Sequence, residues 1–96
     1  MKKLGTIAHW NIVISPHAQS RAVTRDIDVL QVTSAILALG YKQLKTYAKI
    51  KDDIAVIDTN NNFTVIFAVK ATRIEIITLL DSANVWVKNG TEVKRI

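Results

Sequence analysis

The sequence predicts an α+β fold in which two N-terminal helices pack on one face of a mostly antiparallel sheet of four or five strands. Residues 15–40 carry helix caps and apolar residues at helical spacing. Residues 41–96 are rich in Val, Ile, Thr and aromatic side chains, which favour strands. Strands and helices do not alternate along the chain, which argues against a doubly wound nucleotide-binding fold. With 96 residues and a hydrophobic fraction of 49%, the chain is predicted to form a single domain, 1–96.

Two helices are predicted in the first of these blocks. Ser15 is a preferred N-cap and Pro16 suits the first helical position, so a helix begins here and runs to about Arg25. Asp28 offers a second N-cap, and Gly40 ends the second helix. Between them, apolar residues recur at helical intervals: Val29, Val32, Ile36 and Leu39.

The second block is predicted to contain strands separated by turns. The candidate strands are residues 41–50, 54–58, 63–70, 73–80, 84–88 and 91–96. Asn89-Gly90 is a strong hairpin signal and places Trp86 opposite Val93. Residues 6–14 are predicted to form an extended N-terminal segment in which Trp10 packs into the core.

The charge distribution points to an anionic partner. Thirteen Lys and Arg residues against eight Asp and Glu residues give a net charge of +5. Residues 1–25 contain four of the basic residues and no acidic one. Local basic clustering of this kind is typical of proteins that bind nucleic acid, an acidic protein or a membrane surface.

The composition also excludes several function classes. The chain has no cysteine and only two histidines, which rules out disulfides, thiolate zinc sites and iron–sulfur clusters and argues against a histidine-rich metal centre. No metal ion or cofactor is therefore predicted. No apolar run is long enough to span a membrane, and we predict a cytoplasmic domain without a membrane partner.

A cationic stripe is predicted on the first helix. His17, Arg21 and Arg25 are spaced i, i+4 and i+8, so at about 100° per residue they project from one side of it. Two guanidinium groups beside an imidazole suit a phosphate group, because guanidinium donates two parallel hydrogen bonds to its oxygens. A solvated cationic face accounts for the same spacing.

The residues around this stripe carry a family resemblance. The pattern S-x-H-A-x-x-R-x-x-x-R-x-I resembles the opening of small bacterial and phage domains grouped with RelE-like and BrnT-like toxins. More broadly, it resembles the barnase–EndoU–colicin–RelE superfamily. The fixed positions are filled by Ser15, His17, Ala18, Arg21, Arg25 and Ile27, with Asp28 as the following cap. The predicted element order is also similar.

The resemblance implies metal-independent RNA cleavage by a toxin that a cognate antitoxin neutralises. It places a basic residue on the first helix and a hydroxyl or histidine on a late strand, for which His17 and Thr78 are the candidates. His17 would take the proton from a ribose 2′-hydroxyl to give a 2′,3′-cyclic phosphate, and Arg21 and Arg25 would neutralise the phosphate oxygens. By strict strand alternation Thr78 shares a face with Ile76, so it also fits a buried threonine bonded to a neighbour.

A second set of residues is predicted to contact RNA. Lys45, Tyr47 and Lys49 lie on the candidate strand 41–50, where basic and aromatic residues interleave. Lys49 could also assist the leaving 5′-oxygen. Lys94 adds charge near a sheet edge that an acidic antitoxin could cover. An edge strand protected by lysines explains this pattern equally well.

Two further interpretations remain open. The chain could be a non-catalytic phage or bacterial module that uses the same helix to bind nucleic acid or an acidic protein. It could also be a structural or immunity-type protein in which the stripe is only surface charge. No second histidine is placed to act as the general acid, which is the main gap in the nuclease hypothesis.

Overall fold

The computed structural model describes residues 1–88 and 90–96, and over these residues it contains two helices and one six-stranded sheet. In chain order the elements are β1 (Lys2–Ile7), β2 (Trp10–Ile14), α1 (Pro16–Thr24), α2 (Val29–Tyr47), β3 (Ile54–Asp58), β4 (Phe63–Val69), β5 (Arg73–Leu80) and β6 (Glu92–Arg95). The strand order across the sheet is β1-β2-β5-β4-β3-β6. The β2–β5 and β3–β6 pairs are parallel and the others antiparallel. The predicted α+β class is confirmed, but the sheet is wider than predicted and mixed.

The core lies between the helices and one face of the sheet. Buried side chains of both helices join one cluster with alternate residues of β2, β3, β4 and β5. α1 contributes Ala18 and Ala22, whose small side chains let the helix approach β5 closely. On β2, Trp10, Ile12 and Ile14 are buried, which confirms the predicted core face of that segment.

The N-terminal segment is a hairpin rather than one extended stretch. β1 and β2 pair from Lys2↔Ile14 to Ile7↔Trp10, and the turn between them consists of Ala8 and His9. Ala8 has a φ of 52°, which lets the chain reverse within two residues. No helix of the described residues is both long and apolar enough to cross a membrane.

The predicted strand at residues 41–50 is wrong. Gly40 breaks the helical geometry with φ 81° and ψ 165°, as its position suggested, but α2 then resumes and continues to Tyr47. Leu44 and Tyr47 are buried three residues apart, a helical spacing that decides the structure of this segment.

The predicted C-terminal hairpin is also wrong. Asn84 to Lys88 form no strand, and Trp86 is fully exposed instead of facing Val93; Asn89 lies outside the described residues. β6 instead pairs in parallel with β3, and its end is fixed where the Ile96 N–H donates to the Ile57 carbonyl at 2.9 Å. By pairing with the buried strand β3, β6 joins a complete sheet. An isolated two-stranded hairpin would be only marginally stable in water.

Candidate functional site

The first helix begins docked against β5. β2 ends beside β5 at the Ile14↔Ile76 pair, and the chain turns into α1 at once. The Ser15 backbone N–H donates to the Ile76 carbonyl at 3.0 Å, and the Ser15 hydroxyl donates to the Ile77 carbonyl at 2.9 Å. The same hydroxyl oxygen accepts from the Ala18 N–H at 3.1 Å, as an N-cap does. Ser15 therefore caps α1 and ties it to the strand at one point.

A β-bulge in β5 determines where Thr78 points. Phe67 pairs with Ile76 and Ile66 pairs with Thr78, so Ile77 is an extra residue on β5. The buried side chains therefore shift from Ile76 before the bulge to Leu79 after it, while Thr78 is only half-buried. Strict alternation, which put Thr78 on the buried face of Ile76, is wrong at this position.

The bulge brings Thr78 to the start of α1. His17 Nε2 and Thr78 Oγ1 lie 3.0 Å apart, a hydrogen-bond distance across 61 positions of sequence. When Nε2 carries the proton it donates to the hydroxyl, which leaves the Nδ1 lone pair free to accept a proton. The imidazole is exposed, so a ligand can reach it. His17 and Thr78, which the family resemblance implied for the first helix and a late strand, are thus in direct contact.

The two arginines of the stripe differ in their surroundings. Arg21 is half-buried one helical turn after His17. Arg25 is exposed, and its Nη1 lies 3.7 Å from the Asp81 Oδ2 just after β5. Because both side chains of this ion pair are about half exposed, at 48% and 54%, its contribution is at most about 1 kcal/mol. A phosphate can compete with Asp81 for Arg25 at so small a cost.

Asp81 could not be predicted as a site residue from the sequence. It sits far along the chain, in a stretch with no motif, and only the docking of α1 along β5 brings it to Arg25. Arg25 and Asp81 line a polar cavity of about 190 Å³ together with Asn61 and Asn62. Within residues 1–88 and 90–96, no three His, Asp or Glu side chains come together as metal ligands.

The second predicted set of RNA contacts is not assembled as one surface. Lys45 and Tyr47 lie on α2 and Lys49 just after it, whereas Lys94 lies on the edge strand β6. Tyr47 is 1% exposed and its ring packs edge-on against Phe67, so it cannot act as a stacking platform for a base. The helical spacing of Leu44 and Tyr47 was the signal in the sequence that this ring is buried.

Burial also changes the acidity of Tyr47. Removal from water raises the pKa of the phenol above its ordinary value of 10.0. A hydrogen bond with Gln43 acts in the opposite direction, and the negative charge of Glu92 adds to the increase. Tyr47 is therefore a structural residue that stays neutral at physiological pH.

Comparison of the chain with protein-family models, with curated proteins and with solved structures finds no match. The chemistry of the site consists of the imidazole–hydroxyl pair and the guanidinium groups beside it.

Proposed function

We propose that the chain is a metal-independent RNA-cleaving domain of the RelE-like toxin kind. The observation that carries this proposal is the 3.0 Å contact between His17 Nε2 and Thr78 Oγ1. It joins a titratable base to an orienting hydroxyl on an exposed surface, with a guanidinium one turn away. The resemblance of the Ser15–Ile27 pattern to toxin domains predicts the same pair.

The reaction that these groups support is transfer of the RNA phosphodiester to its own 2′-hydroxyl. Thr78 accepts the hydrogen bond from His17 Nε2 and holds the ring so that Nδ1 takes the proton from O2′. The O2′–P bond forms and the P–O5′ bond breaks, giving a 2′,3′-cyclic phosphate. The departing O5′ takes its proton from solvent. Lys49, which the sequence offered for this role as part of a strand, lies instead just after α2 and is not assigned the role.

The guanidinium groups stabilise the charge that develops on the phosphate. Arg21 and Arg25 follow His17 along α1 and donate to the non-bridging oxygens, Arg25 exchanging Asp81 for the phosphate. Preorganised donors shielded from water contribute about 3–4 kcal/mol each to a transition state. Arg25, which is half exposed and must first leave Asp81, contributes less than that. The net charge of +5 suits both the RNA and an acidic antitoxin that would cover the site in the cytoplasm.

A second candidate function is non-catalytic binding of nucleic acid or an acidic protein through α1. The charge distribution favours it, because residues 1–25 carry four basic residues and no acidic one, which attracts an anionic partner without any catalytic step. In this case His17 has no catalytic role, and the affinity for the anionic partner depends on Arg21 and Arg25.

Substitution of His17 and Thr78 separates the two functions. We expect His17→Ala to abolish cleavage of labelled single-stranded RNA, naked or on translating ribosomes, while RNA affinity changes less than about twofold. Thr78→Val should lower the cleavage rate at least tenfold, because the ring loses its orienting partner, and Thr78→Ser should retain most of it. Gln19→Ala, on the exposed side of α1, is the matched control and should cleave normally.

The products and the double arginine variant complete the test. Cleavage must leave 2′,3′-cyclic phosphate ends and persist in a metal chelator. Cleavage that survives in His17→Ala would contradict the proposal. Absence of cleavage by the unmodified chain, with binding that weakens and loses salt dependence in Arg21→Ala plus Arg25→Ala, would instead establish the binding module.

A further inference from the structure

A cavity of about 410 Å³ lies between the β1–β2 turn and the second part of α2. The side chains that give it its chemistry are His9, Trp10, Tyr41, Lys45 and Lys70. Its volume falls within the range of about 300–1,000 Å³ that is typical of small-molecule sites. None of these residues belongs to the His17–Thr78 site.

Three rings pack together at this cavity, and the outer two are exposed. The Trp10 ring lies 4.2 Å from the His9 ring and 5.6 Å from the Tyr41 ring, measured between centroids, with interplanar angles of 40° and 36°. Trp10 is only 2% exposed, and its Nε1–H donates to the Lys70 carbonyl at 3.1 Å, so it is a fixed floor. Tyr41 is 44% exposed and His9 is exposed, so their rings are available to a ligand.

Two unusual backbone positions bring the outer rings to Trp10. Ala8, with its φ of 52°, reverses the chain so that the His9 ring packs against the ring of Trp10. Gly40, with φ 81°, redirects α2 immediately before Tyr41. Glycine adopts a positive φ at little cost, but the left-handed conformation of Ala8 costs free energy, and such residues are concentrated at functional sites in proteins.

The charges around the rings select the kind of ligand. Lys45 Nζ lies 5.9 Å from the centroid of the Tyr41 ring, and Lys70 is exposed at the rim. No carboxylate is among the described residues that line the cavity. An aromatic cage of this type would otherwise suit an organic cation, but two ammonium groups repel one. The combination suits a ligand with a flat ring and a negative charge.

We propose that this cavity binds a nucleotide, with its base stacked on the exposed rings of His9 and Tyr41, which the buried Trp10 supports, and its phosphate beside Lys45 and Lys70. A nucleotide carries both a planar ring and an anion, the two features that this lining would recognise. The proposal goes beyond RNA cleavage and does not depend on it, because none of its groups takes part in the chemistry at His17.

Tryptophan fluorescence measures binding at this site directly. The chain has two tryptophans, and Trp86 is fully exposed, so Trp86→Phe leaves Trp10 as the only reporter without disturbing the fold. The ligands are 5′-AMP, adenosine, an acidic peptide that carries an aromatic residue, and a short oligodeoxyadenylate. The last lacks the 2′-hydroxyl and cannot be cleaved by the proposed reaction, which keeps binding and cleavage distinguishable.

We expect saturable quenching by 5′-AMP and by the oligonucleotide, with adenosine at least about threefold weaker than 5′-AMP. Tyr41→Ala should weaken binding about tenfold, because stacking on one ring is lost, whereas Tyr41→Phe should stay within about twofold. Lys45→Ala should weaken binding about threefold and flatten its salt dependence. Lys42→Ala, on the same helix but outside the cavity, is the matched control and should bind normally.

The ligand series also distinguishes the source of the nucleotide. Equal affinity for 5′-AMP and the oligonucleotide would identify a free nucleotide, and an affinity at least tenfold higher for the oligonucleotide would identify a single strand; both support the site. Absence of quenching at millimolar 5′-AMP and oligonucleotide would overturn the proposal. So would equal losses in Tyr41→Ala and Lys42→Ala, or a response only to an acidic peptide that carries an aromatic residue.

Discussion

The C-terminal end of α1 is closed by backbone hydrogen bonds around Asp26, whose φ of 54° lies in the left-handed region. The Ile27 N–H donates to the Ala22 carbonyl at 2.8 Å, and the Asp26 N–H donates to the Val23 carbonyl at 3.3 Å. These two bonds define a Schellman motif with Asp26 at the position where glycine is most common. The motif turns the chain so that Asp28 can cap α2.

We expect Asp26→Gly to stabilise the fold by about 0.5–1 kcal/mol. The left-handed conformation costs an L-residue about 1–2 kcal/mol, and the greater freedom of glycine in the unfolded chain offsets part of the gain. Asp28→Ala should have the opposite sign, with a loss of about 1 kcal/mol, because the carboxylate accepts from the Leu30 N–H at 2.9 Å. Urea unfolding measures both changes, and a loss of stability in Asp26→Gly would contradict this account of the turn.

Local chemistry explains which site residues could be predicted from the sequence. Ser15 and Pro16 fix the start of α1, so the positions of His17 and the two arginines follow from helical spacing. The orientation of Thr78 could not be predicted, because it depends on the extra residue Ile77 in β5, and nothing in the sequence of residues 76–80 marks a bulge.

Among the helices, α2 shows how a single glycine can interrupt an element without ending it. Gly40 combines φ 81° with ψ 165°, a region of backbone conformation that is essentially restricted to glycine. A Cβ at this position would meet no atom within 4 Å, so any cost of substitution comes from the backbone alone. The segment beyond it carries Leu44 and Tyr47 into the core and Tyr41 to the aromatic cavity.

We therefore expect Gly40→Ala to destabilise the fold by about 1–3 kcal/mol, even though the site is open. Gly5→Ala is the matched control: its Cβ would contact only the Thr33 Cγ2 at an ordinary 3.8 Å and its φ is unexceptional. The change there should stay within about 0.5 kcal/mol. Thermal or urea unfolding measures the stability of both variants. Equal losses of stability in Gly40→Ala and Gly5→Ala would show that the positive φ at Gly40 does not cause the destabilisation.

Some strands could be predicted from the residues within and beside them, and others could not. β3, β4 and β5 were predicted to within one residue, because each is a buried apolar run bounded by turn residues. Asn89-Gly90 predicted a hairpin from two residues, but the preceding segment forms no strand and β6 pairs with β3. Because β3 is distant in sequence, no residue near Asn89-Gly90 indicates that β6 pairs with β3 rather than with residues 84–88.

Across the whole molecule, Tyr47 connects parts of the chain that are far apart in sequence. It lies at the end of α2, its ring packs against Phe67 of β4, and its phenol is close enough to Glu92 of β6 to be affected by that charge. Burial of this ring is therefore part of closing the helical layer on the sheet. Its ionisation should report on the stability of the complete fold.

The raised pKa of Tyr47 predicts that the fold loses stability in alkali. Above about pH 10 the unfolded chain releases the phenol proton while the folded chain keeps it, so the unfolded state binds fewer protons and stability falls as pH rises. The fall is at most about 1.4 kcal/mol per pH unit and ends once pH exceeds the folded pKa.

Tyr47→Phe should remove this component while costing about 1 kcal/mol or less at pH 7 through the lost hydrogen bond. Tyr41→Phe, which retains the buried phenol, should keep the same alkaline fall. Urea unfolding between pH 8 and 11 measures all three proteins, and an unchanged pH profile in Tyr47→Phe would show that the buried phenol is not the group responsible.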